Sequence, residues 1–344
     1  MKTLLTHPDR DFDAKVPKSK ETDDSAQDIE LGVLLDAMAA GDPYLREIAQ
    51  AALFGAWHND MDTILYRQDI LKDCLANKDV VRLFYELAQE PFTRRNDRLY
   101  RPFGDEPSVK VSTSVRTLKD ALDVLRRLRN TCNVYYKGFS STGFTRFFKT
   151  LNDSLDDGYL ASVNSDLEQL QFSSGVLISA GLGEGGKGVD FMLRHPQERD
   201  THLVQRLTTS APKSFTLQLH PRDEAGAQAL GQLQNRGLGL ISDALSQSAE
   251  HVFGFLKMLA AELAFYLGCL NLHDALTRIH EITTFPEPWS EPRVFSCRDL
   301  RDTCLALTLK QPAVGNHADA DGKQLVVITG AHRGGKATFL RSLG

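Results

Sequence analysis

The chain has 344 residues, 42% of them hydrophobic and 25% charged, with a formal net charge of −5. That composition is ordinary for a soluble globular protein of two or three domains and excludes a wholesale basic, nucleic-acid-type charge signature. Five cysteines, Cys74, Cys132, Cys269, Cys297 and Cys304, include no C-x-x-C pair. This excludes a disulfide framework and points to reduced thiols in a cytoplasmic protein without a metal site. Residues 1–27 are polar, with Pro8 and Pro17 and few apolar anchors, and read as a flexible N-terminal arm; Met1 to Asp13 has no apolar core of a secretory signal.

From Ile29 apolar residues recur at helical spacing. Gly41 ends the first helix, and Asp42-Pro43 opens the next as N-cap and first helical position. Helical stripes continue over 60–77 and 79–90, and Pro91 ends the run. Residues 91–112 are polar and read as a connection. A long helix over Val115 to Lys137 follows, then helices near 142–152 and 157–171.

The period changes at Phe172 to Ala180 and at Val189 to Leu193, which read as strands around the glycine-rich tip Gly181 to Gly188. Ser214 to Leu219 is a third candidate strand. No helix follows the glycines directly, so they form a hairpin tip and not a dinucleotide loop. Helices then run over 222–236, ended by Gly237, over 240–272, and over 273–282. Val252 to Leu272 is apolar enough to suggest a membrane span, but Lys257 and Glu262 interrupt it, so a helix buried in protein is expected. Prolines 286, 288 and 292 mark a linker. Beyond it, Phe295 to Cys297 and the helix-like Arg298 to Leu309 lead to the last stretch.

That stretch carries chemistry. The apolar run Leu325 to Ile328 is expected to be a strand leading into Gly330, Ala331, His332, Arg333, Gly334, Gly335 and Lys336, with a helix following through Ala337 and Thr338. Strand, glycine-rich loop and helix make a phosphate cradle. Glycines let backbone N–H groups turn inward, the helix end adds its dipole, and Lys336 supplies a mobile charge. The Mg²⁺-binding hydroxyl is expected immediately after the lysine, where Ala337 has none, and Thr338 is turned about 100° further round the helix. An acidic residue on a second buried strand would also be needed and would lie beyond Gly344, so the ATPase domain is expected to be cut short.

Between Pro91 and Thr150 basic residues outnumber acidic ones, with Arg94, Arg95, Arg98, Arg101, Arg126, Arg127, Arg129, Arg146 and Lys149 the main contributors. Tyr135, Tyr136, Phe139 and Phe144 interleave with them. This suits phosphate contacts to duplex DNA without base reading, and equally a solvated helix face. The scattered histidines, including His273 and His280, form no metal-ligand spacing.

Thr329 to Arg341, Thr-Gly-Ala-His-Arg-Gly-Gly-Lys-Ala-Thr-Phe-Leu-Arg, resembles the MutS family loop T-G-x-N-x-G-G-K-S-T-[FY]-L-R. It departs at His332 and at Ala337. Asp36 to Pro43 and Gly175 to Ser179 look like a short bacterial MutS-like branch without the mismatch-reading domain. The resemblance implies a mainly α fold of lever-type helices with a small antiparallel β insertion near 172–219. It places the helical core at 28–283 and the beginning of a P-loop ATPase domain at 284–344. It further implies ATP with Mg²⁺ as cofactor, duplex DNA as partner, a homodimer, and repair activity driven by lever movement, with no hydrolysis by this chain alone. The competing expectation is a helical interaction module with an unused loop.

Overall fold

The computed structural model describes residues 1–14, 20–55, 60–93, 106–172, 175–194, 218–220, 222–290, 294–332 and 334–343. It is mostly helical. In chain order the elements are α1 (Lys20–Asp28), α2 (Leu31–Ala39), α3 (Pro43–Gly55), α4 (Met61–Ala76), α5 (Lys78–Thr93), α6 (Pro107–Tyr135), α7 (Thr142–Ser154), α8 (Asp157–Gln169), β1 (Ile178–Leu182), β2 (Gly188–Leu193), α9 (Glu224–Arg278), β3 (Ser296–Leu300), α10 (Thr303–Leu309), β4 (Asn316–Asp319) and α11 (Lys336–Leu343). Two compact units divide the chain. The first comprises 1–93, 124–156 and 254–344; the second comprises 94–123 and 157–253.

In the first unit, local chemistry fixes the helix ends. Asp42 accepts from the Tyr44 and Leu45 amides at the start of α3, as its place before Pro43 requires. Asp60 caps α4 through Thr63. Pro91 is tolerated inside the last turn of α5, where it is buried, so α5 continues to Thr93 and does not stop at the proline. Buried Asp73 at the end of α4 accepts from the Ser140 and Ser141 amides, at 3.0 and 2.7 Å, and so holds the turn before α7. Asn77 adds a bond to the Gly138 carbonyl at 2.7 Å. Gly143 lets α7 close on α4, since a Cβ there would fall 2.3 Å from Ile70. Under this turn lies an aromatic cluster: Phe139 is 4.5 Å from Phe144 and 5.2 Å from Phe148, ring centre to ring centre, and Phe84 is 5.9 Å from Phe148. Each such ring contributes about 1.5–3 kcal/mol by leaving water.

The N-terminal arm is a correction. Thr3 to His7 are buried and Leu5 is fully so. The strap has few apolar side chains, but its backbone groups find partners. Tyr66 Oη donates to the Leu4 carbonyl and Tyr266 Oη to the Leu5 carbonyl, both at 2.6 Å. Arg67 Nε donates to the Thr6 carbonyl at 2.7 Å. The composition argument missed this because it counted apolar anchors and not hydrogen-bond partners on distant helices.

The second unit contains the start of α6, all of α8, the β1–β2 hairpin and the first part of α9. The hairpin is antiparallel, with Ile178 opposite Leu193 and Leu182 opposite Gly188. The expected strands are present, the first beginning at Ile178 and not at Phe172. Of the third candidate, Ser214 to Leu219, only Gln218 and Leu219 are described, and neither is in a strand. The helix break expected at Gly237 is absent: α9 runs unbroken for 55 residues. A Cβ at Gly237 would fall 2.5 Å from Ile178, so the glycine lets β1 approach the helix and does not cap it. A glycine inside a helix costs about 1 kcal/mol, which the seated hairpin offsets. Arg236 adds a contact over the Phe191 ring, 5.6 Å from its centre.

Part of α9 is long and apolar enough to cross a membrane, and most of that window is buried. Glu262, in its middle, is fully buried.

The largest difference lies at the C-terminal end. The expected opening of an α/β P-loop domain is not what the described residues form. β3 and β4 make a separate antiparallel pair, Ser296 opposite Asp319 and Leu300 opposite Asn316. Leu325 to Ile328 is in no strand, and Leu325, Val326 and Val327 are 79%, 58% and 71% exposed. A β-branched run becomes a strand only when neighbours take its N–H and C=O groups, and neither pair of strands does.

Candidate functional site

The glycine-rich loop leads into α11, whose first residue is Lys336. Gly335 has φ +80° and Gly330 φ +155°, both outside the range that side-chain-bearing residues favour. At Gly334 a Cβ would meet the Ala331 carbonyl oxygen at 2.9 Å, while the Gly334 amide donates to that same oxygen at 3.1 Å. These glycines are demanded by the backbone path. Lys336 Nζ bends back to the Gly330 and Ala331 carbonyls at 2.9 and 2.6 Å, so the ammonium lies across the loop it follows in sequence. Gly330, Ala331, His332, Gly334, Gly335 and Ala337 are exposed, Thr338 is half-buried, and Arg333 lies outside the described residues.

This arrangement can take a phosphate group: a glycine-dictated turn, the open N-terminal end of a helix, and a lysine that can exchange two neutral carbonyls for an anion. It does not fit the expected Mg²⁺ site. Ala337 offers a methyl group where a hydroxyl is needed.

The far end of α11 is anchored. Arg341 Nε donates to Asp302 Oδ2 at 2.7 Å, a second guanidinium nitrogen pairs with the same carboxylate at 2.7 Å, and the third contacts Glu30. Asp302 is 2% exposed and also caps α10 through the Leu305 amide at 2.9 Å. Cys304, one residue into α10, points its thiol at the Glu30 carbonyl. A second buried carboxylate, Glu281, accepts from Arg301 at 3.1 Å and from the Ala313 amide at 2.8 Å. Arg341 was visible in sequence as part of the loop signature; its partners, Asp302 and Glu30, were not, because nothing in their spacing sets them apart.

The basic residues separate into two groups. Arg126 and Lys149 are exposed. Arg127 is held by Glu90 at 2.6 Å, and Arg129 donates to the Leu155 carbonyl that follows α7, so both serve internal contacts. Arg146 donates to the Pro8 carbonyl at 2.7 Å. Arg94, Arg95, Arg98 and Arg101 lie outside the described residues. Of the described members, Arg126 and Lys149 are exposed, while Arg127, Arg129 and Arg146 bond to other parts of the protein. Among the described residues no group of histidine, cysteine or carboxylate side chains could hold a metal ion.

Sequence reasoning also passed over a polar constellation around Glu262. Its signal was present: a glutamate in an apolar helical run is a buried carboxylate that needs donors. Glu262 accepts from the Leu5 and Thr6 amides at 2.9 and 3.4 Å and from Thr6 Oγ1 at 2.9 Å. Burial pushes its carboxyl above the ordinary range, and these bonds pull the other way. Arg67 can only donate, so His7 Nε2 accepts from it at 2.9 Å and the imidazole proton resides on Nδ1, 3.2 Å from Thr6 Oγ1. Burial, with Arg67 beside it, lowers the His7 pKa to about 4.

Compared with known protein families, residues 59–279 match a family described as the MutS2 N-terminal domain. No curated protein and no solved structure matches the chain. The match covers the helices from α4 to α9 and ends before the glycine-rich loop. Because it spans well over half of the residues, the chain belongs to the MutS2 N-terminal domain family and is a MutS-related protein.

Proposed function

We propose that this chain is the helical, loop-bearing part of a MutS-related DNA-repair protein that binds ATP through Gly330–Thr338 and duplex DNA through basic residues of the 91–150 region. Nucleotide at the loop would bias the long helices and change their grip on DNA, and two copies would act together. The observation that carries the reading is a MutS2 N-terminal helical region followed by a loop whose glycines are dictated by backbone geometry and whose lysine opens a helix.

Gly330, Gly334, Gly335 and the first amides of α11 would hold phosphates, and Lys336 would leave its carbonyl partners for them. The nucleotide supplies binding energy that a conformational change can use. Ala337 provides no metal-binding oxygen, so no hydrolytic step follows from these residues. Arg126 and Lys149 remain available for phosphate contacts, whereas Arg127 and Arg129 are engaged inside the protein.

The test is a titration with a fluorescent ATP analogue, with and without Mg²⁺. Saturable binding is expected, little changed by Mg²⁺ and weakened at least tenfold in Lys336→Ala. Unchanged binding in that variant would overturn the loop assignment. Duplex DNA binding should fall steeply with salt, and Arg126→Glu with Lys149→Glu should reduce the slope. One observation favours the second reading, a helical interaction module with an unused loop: Leu325 to Ile328 lies outside any sheet. Absence of both nucleotide and DNA binding would establish that reading instead.

A further inference from the structure

The N-terminal strap buries Leu4 and Leu5, at 5% and 0% exposure, and its backbone is bonded from several sides as well. Within the first unit, the Leu4 carbonyl, the Leu5 amide and carbonyl, the Thr6 amide and carbonyl, and the Pro8 carbonyl are all met by side chains, from Tyr66 and Arg67 of α4, Arg146 of α7, and Glu262 and Tyr266 of α9. Helix backbones are already satisfied and offer an incoming segment nothing, so side chains must supply its bonds. Two further features mark a built seat. Leu4 is held at φ +53°, a strained backbone for leucine that persists only when contacts on both sides impose it. The side-chain bonds also run in one direction, from Arg67 to His7, to Thr6 Oγ1, to Glu262.

We propose that the groove formed by α4, α7 and α9 is a binding site for a peptide of the sequence Leu-Leu-Thr-His-Pro, filled in cis by this chain's N-terminus and in trans, on exchange, by the N-terminus of a second copy. Recognition through backbone groups does not require covalent attachment. A second copy supplies the same sequence, so cis and trans occupation make the same contacts and differ only in the entropy of closing the connection. The chain length between Pro8 and the start of α1 at Lys20 limits the reach of an exchanging strap to about 35–40 Å. Asp9, Arg10, Asp11, Asp13 and Ala14 in that stretch are exposed, whereas Phe12 is buried and Lys2 pairs with Asp11 at 3.5 Å, so exchange releases Phe12 together with the strap. The proposal stands apart from nucleotide and DNA binding, and neither enters its test.

A protease site inserted after Ala14 allows the strap to be cut in the full-length, already folded protein, so failure to fold cannot confuse the result. A fluorescent peptide copying Met1 to Phe12 is then added. Exchange of the cut strap for this peptide is expected, read as a saturable rise in anisotropy. The same peptide N-methylated at Leu5, which cannot donate to Glu262, should bind at least tenfold more weakly. Failure of the peptide to enter, or equal binding of the methylated form, overturns the peptide site. In a second arm, intact copies carrying two different tags are incubated together at high concentration. Mixed assemblies that the free peptide competes away support exchange; mixed assemblies that never form, or that resist the peptide, overturn occupation in trans.

Discussion

Two short stretches outside regular secondary structure lie near the two ends of the chain, and their fates are the reverse of what their side chains suggest. Thr3 to His7 is mixed in polarity and is buried; Leu325 to Ile328 is wholly apolar and its first three residues are exposed. The difference is in the backbone. The first stretch meets Tyr66, Arg67, Glu262 and Tyr266, which take up its amides and carbonyls. The second meets no adjoining strand among the described residues. Burying an extended segment strips water from every peptide group in it. An unmatched group costs about 1–3 kcal/mol, comparable to the gain from burying one aliphatic side chain. Hydrogen-bond supply therefore decides which stretch is buried, and hydropathy comes second.

The most severe way to break this comparison is to remove the strap's chief acceptor. Glu262→Ala leaves two buried amides and a hydroxyl without a partner and creates a void in α9. Urea unfolding should show a loss of about 3–5 kcal/mol. Glu262→Gln keeps one acceptor oxygen and should cost clearly less. If both variants unfold like the wild type, the backbone account of the strap is wrong.

The C-terminal side of the comparison rests on an anchor of the same kind. α11 is fastened through Arg341 to Asp302 and Glu30, not through a sheet beneath it. Asp302→Ala removes the cap of α10 and the main partner of a guanidinium whose side chain is 14% exposed. A loss of about 2–3 kcal/mol is expected. Hydrogen exchange should rise in both α10 and α11. A rise confined to α10 would mean that Arg341 contributes nothing to holding the loop helix.

The strap should also respond to pH through His7. An unfolded chain protonates this histidine near pH 6.5, whereas the folded protein does so only at about 4. Between those values the unfolded state binds more protons, so folding stability falls as pH falls from 6.5 toward 4. The contribution is fully present above pH 6.5. His7→Gln removes the titration but leaves Glu262, whose raised pKa acts in the opposite sense, so the difference between the two proteins isolates the histidine. Relative to His7→Gln, the wild type should lose about 1–2 kcal/mol between pH 7 and pH 5. Parallel pH profiles would show that His7 stays neutral for no energetic reason.

These cases show which parts of the architecture a sequence makes legible. Helices were readable because their own periodicity signals them: α4 and α7 lie where the apolar stripes place them, and Asp42-Pro43 opens α3 as capping chemistry demands. The β1–β2 hairpin was readable from its change of period. Gly237 misled because a glycine that ends a helix and one that admits a neighbouring strand look the same until Ile178 is in place. The glycine-rich turn ahead of α11 was legible in its glycines, since local backbone geometry dictates them. Its supports were not: Asp302 and Glu30 come to Arg341 from distant parts of the chain. The same holds for the strap, where Leu5 and Glu262 are brought together across 257 residues of sequence. Of the basic residues, composition could count charges, but only the fold distinguishes Arg126, which faces solvent, from Arg127, which serves Glu90.

The smallest expected effect sharpens the comparison most. Val326 is 58% exposed and Val327 71%, so a charged side chain at either position displaces little buried surface. Val326→Lys should change the unfolding free energy measured in urea by less than about 0.5 kcal/mol, as exposed substitutions do. Were Val326 instead inside a covered sheet, a lysine there would be desolvated and its backbone registered against neighbours, and the cost would rise to several kcal/mol. The paired measurement is nucleotide binding by the same variant. A neutral stability change together with unchanged binding would mean that the loop and α11 work without a strand beneath them, with Arg341 among their anchors. A neutral stability change with lost binding would mean that the nucleotide itself draws Leu325 to Ile328 into a new arrangement, the loop's backbone amides then being supported only in the bound state.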